Sequence, residues 1–545
     1  MEKRAKTQTF MQGVMALMFS QVLIKLLGLV YKIYITNKEG FGDAGNAIYG
    51  SGYQIYALLL TFSSIGLPAA IAKLISARLA VGDGKGAHRV FKVAICAFGL
   101  VGLMGTCVLF FGAHYISHVL LRIPEAELTL VALSPAVFFV SVSSIVRGYF
   151  NGRQNMKPTA NSQTLEQVFK TFLTILFVEL VFILSGANTE LMAAGATIAT
   201  ALATFLSFGY LYIYYKIMRK QIWTELRGSV AYKPERIKNI LKGILMVSIP
   251  ISLTALLSTL NKNIDSFTVV RGLERFITDP ERAKELYGIL SGKVDTLTSL
   301  PLSFNVAFSI SLVPAISALF AKKNIEAAGK RISFTILSTI LLALPCTIGM
   351  ILFAEPILQL VYPNQPEGTL PLQITSLTII TIALVQTINA ALQGMGKIVV
   401  PAVALSIGVF AKLICNMVLI PIEGIGINGA AIGSVVCYVI ADIIALIVLC
   451  KNIRLSFNFN KFVVKPILAT LAMSIVSYGL YINIVGIVSP KIATVIALVV
   501  AVAIYGISII MLKVFTNEEI EMFPYGNKIN KFLKKTQKKK DFSNV

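Results

Sequence analysis

Acidic residues, histidine and cysteine are scarce in this sequence. The 545 residues include 26 aspartates and glutamates against 49 lysines and arginines, with three histidines and six cysteines. Only 14% of the chain is charged, which excludes an ordinary soluble protein of this length. The cysteines have no metal-ligand spacing, and the histidines fall at loops or helix ends, so we expect no metal site and no histidine proton relay. No nucleophile motif, phosphate-binding loop or carboxylate pair lies on a sizeable loop, so we expect neither an enzyme nor a cofactor.

Apolar residues are abundant instead, at 56% of the chain, and they recur in long uninterrupted runs. A membrane-spanning helix needs about 20 such residues, whereas a barrel strand needs about 10. The pattern predicts an all-α membrane protein with fourteen transmembrane helices, called spans 1 to 14. They cover residues 10–35, 47–76, 90–116, 128–150, 160–185, 191–216, 240–270, 287–320, 332–354, 370–394, 398–420, 428–450, 464–487 and 491–513.

Lysine and arginine orient these spans, because cytoplasmic loops carry an excess of both. With the first residue in the cytoplasm, the predicted cytoplasmic segments include two strongly basic stretches, Lys216 to Lys242 and Lys513 to Lys540, with eight basic residues each. We therefore expect both termini on the cytoplasmic side of the membrane. The C-terminal stretch has no interleaved aromatic residues, which favours contact with anionic lipid headgroups over nucleic acid.

The two halves of the chain resemble each other. Gly152 precedes Lys170 by 18 residues, and Gly394 precedes Lys412 by the same number. The offset corresponds to six spans, so we expect two parallel six-helix repeats with a site between them. The expected domains are an N-lobe (1–220), a cytoplasmic linker (221–239), a C-lobe (240–450), two further helices (451–515) and a basic tail (516–545). We expect hinge or packing roles for the glycines and prolines within these repeats: Gly28, Pro68, Gly152, Pro158, Gly394 and Pro401.

Polar and charged residues inside the spans mark candidate binding positions, because charge is costly in the bilayer. Span 1 carries Gln21, Lys25, Gly28 and Lys32 at intervals of four, three and four residues, which places them on one helix face. Spans 7 and 8 add a second candidate group, and we expect it to reach the same cavity from the other half: Lys262, Asp265, Lys293 and Asp295. The excess of lysine over acid suits an anionic headgroup such as a pyrophosphate. Glu166 and Lys170, one turn apart, are expected to pair with each other.

Several of these segments resemble a known family. Ser63 to Lys73, the hexapeptide Arg147 to Gly152, Pro158 to Ala160 and Gln163 to Gln167 are similar to the polysaccharide-transport branch of the multidrug/oligosaccharidyl-lipid/polysaccharide (MOP) exporter superfamily. Within that branch the chain looks most like the MurJ/YtgP-type lipid II flippases, with SpoVB-like sporulation proteins next. The resemblance implies a location in a bacterial cell membrane and translocation of an undecaprenyl-pyrophosphate-linked disaccharide-pentapeptide by alternating access through a cationic cavity.

The resemblance also guides the choice of site residues. Relatives place basic residues on spans 1, 2 and 8, and here span 1 supplies Lys25 and Lys32. Span 8 has Asp295-Thr296 where relatives tend to have an acid followed by arginine, which leaves Lys293 as the nearest base. Some relatives bind sodium through acids and amides on spans 7, 11 and 12. The corresponding residues here include Asp265, but Lys412 would repel a cation, so we expect no sodium coupling.

The function expected from these features is that of a lipid II flippase. Its partners would be the lipid-linked oligosaccharide pyrophosphate and membrane lipids, with no nucleic acid and no required oligomer. Two alternatives stay open: a flippase for another undecaprenyl-linked glycan, such as a teichoic acid, capsule or spore-wall polysaccharide, and a membrane glycosyltransferase or polymerase. A drug exporter of the same superfamily would need an acid-rich cavity, which the sequence does not provide.

Overall fold

A computed structural model describes residue 20 and residues 23–61, 66–153, 155–230, 235–321 and 323–516. Over these residues the chain is helical and contains no strand. Three π-helical turns interrupt it, at Ile116–Leu121, Ile289–Val294 and Asn460–Val464. The α-helices are α1 (23–37), α2 (Gly42–Thr61), α3 (Leu67–Ala80), α4 (Gly84–Tyr115), α5 (Ala126–Gly152), α6 (Lys157–Ser185), α7 (Thr189–Arg227), α8 (Ile237–Leu273), α9 (Pro280–Gly288), α10 (Asp295–Ala321), α11 (Ile325–Leu352), α12 (Ala354–Val361), α13 (Thr369–Gly394), α14 (Val399–Leu419), α15 (Asn428–Asn452), α16 (Lys465–Ile484) and α17 (Pro490–Met511).

Ten of the described helices are long and apolar enough to cross a membrane. They include α4 to α7 in the first half, α11 and α13 to α15 in the second, and the pair α16 and α17. Every predicted span overlaps at least one described helix, but the count of fourteen membrane crossings stays a prediction. The end of the molecule that carries Arg78, Lys85 and Arg236 is called the basic end below, and the other is called the opposite end.

Local sequence sets where the long helices begin. Asp83 precedes α4 and accepts a hydrogen bond from the amide of Gly86 at 2.7 Å. Asn188 caps α7 in the same way, accepting from the Leu191 amide. These side chains satisfy amide groups that have no partner within the first helical turn. Pro158 occupies the first turn of α6, where its missing amide hydrogen costs nothing.

The packing of the two halves follows one pattern. In the first half α5 contacts α3, α4 and α7, and α6 contacts α7. In the second half α13 contacts α10, α11 and α15, and α14 contacts α15. Each helix therefore has the neighbours that a duplicated six-helix unit requires. The division of the chain into the lobes, linker and tail given above stays a prediction, and nearly all of the basic tail lies outside the described residues.

Two glycines show how close the correspondence between the halves is. A Cβ atom added to Gly152 would lie 2.8 Å from the Cβ of Ile75, and one added to Gly394 would lie 2.8 Å from the Cβ of Ile316. Glycine at both positions lets α5 approach α3, and α13 approach α10, closely. Ile316 lies 241 residues beyond Ile75, which agrees to within one residue with the offset of 242 residues between the two glycines.

The other predicted packing residues also lie at helix contacts or helix ends. The Cα of Pro68, at the start of α3, is 2.9 Å from the position of a Cβ added to Gly148 of α5. Pro401 is buried in the first turn of α14. Among the described residues, a Cβ added to Gly28 would meet the side-chain amide of Gln167, at 3.7 Å. Whether any of these positions acts as a hinge stays a prediction.

Candidate substrate site

A cavity of about 270 Å³ lies where the two halves of the molecule meet, and we call it the lysine cavity. Helices α1, α2 and α6 of the first half supply its walls, together with α8, the π-turn at Ile289–Val294 and α10 of the second half. Its charged lining residues are Lys25, Lys32, Lys170, Lys262 and Asp295. Four ammonium groups against one carboxylate give the cavity a strong positive charge. Its aromatic lining residues are Tyr31, Tyr49 and Tyr53.

The α1 face forms one wall of this cavity. Lys25, Gly28 and Lys32 all line it, as their spacing predicts, since residues at intervals of three and four share a helix face. The ammonium of Lys32 lies 4.7 Å from the ring centroid of Tyr49, within the range of a cation–π contact. Gln21, the remaining member of the predicted stripe, lies outside the described residues.

Lys170 of α6 is the cavity lysine that the sequence did not predict as a site residue. It is buried, with its ammonium 4.2 Å from the ring centroid of Tyr53 and 5.5 Å from that of Tyr31. Among the residues that the structure describes, no carboxylate lies within ion-pairing distance of Lys170. A buried ammonium that contacts tyrosine side chains, without a carboxylate partner among the described residues, keeps much of its capacity to bind an anion.

The expected ion pair between Glu166 and Lys170 is wrong. Glu166 instead accepts from the guanidinium of Arg147 on α5 at 2.8 Å. The same guanidinium donates to Ser162 and Ser207, so α5, α6 and α7 are joined by one polar network. Arginine takes the carboxylate because its planar group can satisfy several acceptors at once. Lys170 therefore has no ion pair with Glu166, and its ammonium lines the cavity.

A second cavity, of about 290 Å³, lies in the second half of the molecule. Lys262 of α8 and Asp295 of α10 line both cavities, and their charged groups are 3.4 Å apart. The Lys262 side chain is 46% exposed and that of Asp295 is 30% exposed, so this pair is open to a ligand from either side. Both residues lie where the sequence placed them, against the lysines of α1.

Asp265 does not reach the lysine cavity, contrary to expectation. It lines the second cavity, where its carboxylate accepts from Lys412 at 2.6 Å and from Asn416 at 2.9 Å. The Lys412 ammonium also donates to the carbonyl of Asn261. Lys412 is fully buried, so Asp265 is its counterion within the second half and is not free to pair with the lysines of the first half.

Lys293 is also displaced from its expected position. It is fully buried at the opposite end of the molecule, where its ammonium donates to Asp43 of α2 at 2.7 Å and to the carbonyl of Gln365. Lys293 lies in the π-turn at Ile289–Val294, which precedes α10. Residues two apart in a helix point to nearly opposite sides, so Lys293 faces away from the lysine cavity when Asp295 faces it.

The pair of Lys293 with Asp43 belongs to a wider contact between the two halves at the opposite end. A Cβ added to Gly288 would lie 1.8 Å from the carbonyl oxygen of Asp43, so the backbones touch. Arg122 pairs with Glu274 across the same boundary at 2.7 Å. The two halves are thus tightly joined at this end. The lysine cavity is separated from it by the packed start of α2 and the π-turn.

Comparisons with known proteins agree with this arrangement. The model of the family described as "Polysaccharide biosynthesis protein" matches residues 10–320, and the MatE model matches residues 292–419. The chain belongs to the polysaccharide biosynthesis protein family. It is 25% identical to stage V sporulation protein B of Bacillus subtilis, over 84% of this chain and 86% of that protein. It is 24% identical to lipid II flippase MurJ of the same organism, over 85% of this chain and 86% of that protein.

A solved structure, "Lipid II flippase MurJ, inward closed conformation", superposes on the chain with a TM-score of 0.67. It is 17% identical and covers 92% of this chain and 99% of that one. At this identity the likeness establishes the fold and not the substrate. The sequence-based resemblance to MurJ- and SpoVB-type members of the MOP superfamily is confirmed. The chain is therefore a multi-pass membrane protein whose relatives include transporters.

Proposed function

We propose that the protein is an alternating-access flippase that moves the undecaprenyl-pyrophosphate-linked peptidoglycan precursor, lipid II, from the inner to the outer leaflet. The observation that carries the proposal is the lysine cavity, with four lysines against one aspartate. A pyrophosphate has about two negative charges, and ammonium groups in a dry site bind it through strong, charge-assisted hydrogen bonds. The similarity to MurJ of Bacillus subtilis supports a lipid-linked substrate of this kind.

The size of the cavity indicates which part of the substrate it holds. Pockets that enclose a drug-sized ligand begin at about 300 Å³. The lysine cavity, at about 270 Å³, suits a pyrophosphate with part of the first sugar rather than a complete glycan. The tyrosine rings suit sugar stacking beside the phosphates. The peptide and the remaining glycan would then occupy the space that opens when the two halves move apart.

The positions of charge at the two ends support alternating access. At the opposite end, the buried pair of Lys293 and Asp43 holds the halves together. At the basic end, a cavity of about 1040 Å³ is lined by basic side chains from the α3–α4 turn and the start of α8: Arg78, Lys85, Arg89, Lys92 and Arg236. We infer that the basic end faces the cytoplasm, as the excess of basic residues indicates, and attracts the anionic headgroup.

Replacement of the native flippase tests the proposal. In cells depleted of their own lipid II flippase, expression of this protein should restore growth, and the Lys25→Ala variant should not. Lys73→Ala is the matched control, because Lys73 is an exposed lysine on α3 that lines neither of the two cavities. Equal membrane levels of all three proteins must be shown. If the wild-type chain does not restore growth, lipid II is rejected as the substrate.

A second candidate substrate is another undecaprenyl-linked glycan, and the 25% identity to stage V sporulation protein B favours it. The same cavity would serve, because the pyrophosphate and the polyprenyl chain are common to these precursors. Rescue of a strain lacking a spore-wall or capsule flippase, without rescue of the lipid II strain, would favour this alternative.

A further inference from the structure

Three potential metal ligands come together at the opposite end of the molecule, away from both cavities. They are His114, in the last turn of α4, His118, in the following π-turn, and Glu127, in the first turn of α5. One ligand atom from each of the three lies within 4.8 Å of the others. We propose that these residues form a binding site for a divalent transition-metal cation of the Zn²⁺ class, which braces the ends of α4 and α5.

The distances suit such a cation. The Nδ1 atoms of His114 and His118 lie 2.9 Å and 3.7 Å from the same carboxylate oxygen, Oε2 of Glu127. Zinc binds imidazole nitrogen and carboxylate oxygen at about 2.0–2.2 Å, so neighbouring ligand atoms of a tetrahedral site are about 3.4 Å apart. The observed separations lie on either side of that value. Two imidazoles and one carboxylate form a ligand set that zinc uses, with the fourth position left for water.

The local helix geometry holds the two histidines together. Residues four apart share a helix face, and the ring centroids of His114 and His118 are 4.1 Å apart. The π-turn Ile116–Leu121 carries His118 towards the start of α5. His118 Nδ1 also lies 3.0 Å from the Ser117 hydroxyl and 3.1 Å from the His114 carbonyl, and it would exchange both contacts for the cation. The side chains of His114, His118 and Glu127 are 72%, 38% and 36% exposed, so an aqueous cation can reach them.

The position of the cluster gives the site a consequence for movement. Arg122 directly follows the π-turn, has a φ of 55° and pairs with Glu274 of the second half. The guanidinium of Arg271 also donates to the carbonyl of Val119, within the π-turn. A cation that fixes α4 to α5 therefore restrains the segment through which the first half meets the second. Occupancy of the site should slow separation of the halves at this end.

Metal binding to the purified full-length chain in detergent tests the proposal. All six cysteines are replaced by serine in every variant, so that no thiol binds the metal. Titration calorimetry with Zn²⁺ should then give one site per chain. His114→Ala and Glu127→Gln should each weaken that site by at least about 10-fold. His88→Ala is the matched control, since His88 lies near the start of α4 at the basic end, and it should leave the affinity unchanged.

A second readout separates loss of the site from loss of the fold. Without metal, His114→Ala and Glu127→Gln should melt at the same temperature as the parent protein. Saturating Zn²⁺ should raise the melting temperature of the parent and of His88→Ala but not of the two site variants. If the parent binds no Zn²⁺, or if His114→Ala binds it as tightly as the parent does, the three residues form only a surface hydrogen-bonded cluster and the proposal is wrong.

Discussion

Replacing Lys170 by methionine tests whether this lysine binds the substrate or only stabilises the fold. Methionine is unbranched and of comparable length, so it fills the space between Tyr31 and Tyr53 without the charge. A hydrogen bond between a charged group and a phosphate contributes about 1.5–3 kcal/mol. Since about 1.4 kcal/mol corresponds to a factor of ten, Lys170→Met should weaken binding of a short-chain prenyl pyrophosphate by roughly 10- to 150-fold. Lys170→Arg keeps the charge and should retain more of the affinity.

Although Lys170→Met should bind the ligand more weakly, the stability of the ligand-free protein should rise or stay unchanged. The cation–π contacts of Lys170 stabilise the fold by about 0.5–2 kcal/mol. Holding an ammonium away from water costs several kcal/mol, which these contacts offset only in part. The melting temperature of Lys170→Met without ligand should therefore equal or exceed that of the parent.

Titration of the purified protein with the prenyl pyrophosphate, together with thermal unfolding, measures both quantities. Lys73→Met is the control for loss of one positive charge in the same half, and it should bind like the parent. If Lys170→Met binds with the parent's affinity but melts at a much lower temperature, Lys170 is a structural residue and the assignment is refuted.

Three further substitutions test other parts of the account. Asp265→Asn should lower the melting temperature strongly, because it leaves the charge of the fully buried Lys412 without a counterion, at a cost of about 3–5 kcal/mol. Adding Lys412→Met to this variant should restore most of the lost stability. Lys262→Ala should change the melting temperature little, since half-exposed ion pairs contribute at most about 1 kcal/mol, yet it should weaken prenyl pyrophosphate binding several-fold. Gly152→Ala should destabilise the fold by about 1–3 kcal/mol, because the added Cβ atom meets Ile75. Gly209→Ala is the control: an added Cβ atom there has no described neighbour within 4 Å, so this variant should be neutral or stabilising in the same melting assay.

The sequence predicts the helices and the α1 wall of the cavity well, because both depend on local spacing. Long apolar runs specify membrane helices without reference to their neighbours, and the positions of Lys25, Gly28 and Lys32 specify one face of α1. Lys262 and Asp295 were also found, since charged residues inside a span seldom face lipid. The repeated glycines Gly152 and Gly394 predicted matching helix contacts because close packing needs a small residue at the same place in each half.

The errors come from partners that lie far away in the sequence. Spacing alone paired Glu166 with Lys170, but Arg147 from the preceding helix competes for the carboxylate and takes it. A buried arginine in a span needs an acidic partner, and Arg147 was visible in the sequence as a signal of that competition. Lys293 was misplaced because residues two apart in a helix point to nearly opposite sides, so Lys293 and Asp295 cannot both face the lysine cavity. That spacing was visible in the sequence, whereas the pairing of Lys293 with Asp43, 250 residues away, is set by the tertiary fold.

The transport claim is tested most directly by flipping of lipid II in vesicles that contain only the purified protein. Lipid II incorporated into both leaflets is exposed to a reagent that attacks only headgroups on the outer surface, and the fraction attacked is followed over time. The account predicts that the wild-type chain makes the inner-leaflet lipid II accessible, that Lys73→Met does so at the same rate, and that Lys25→Ala with Lys170→Met does not. If the wild-type protein leaves the inner-leaflet fraction protected, or if the double variant flips as fast as the wild type, the lysine cavity is not the pathway for this substrate.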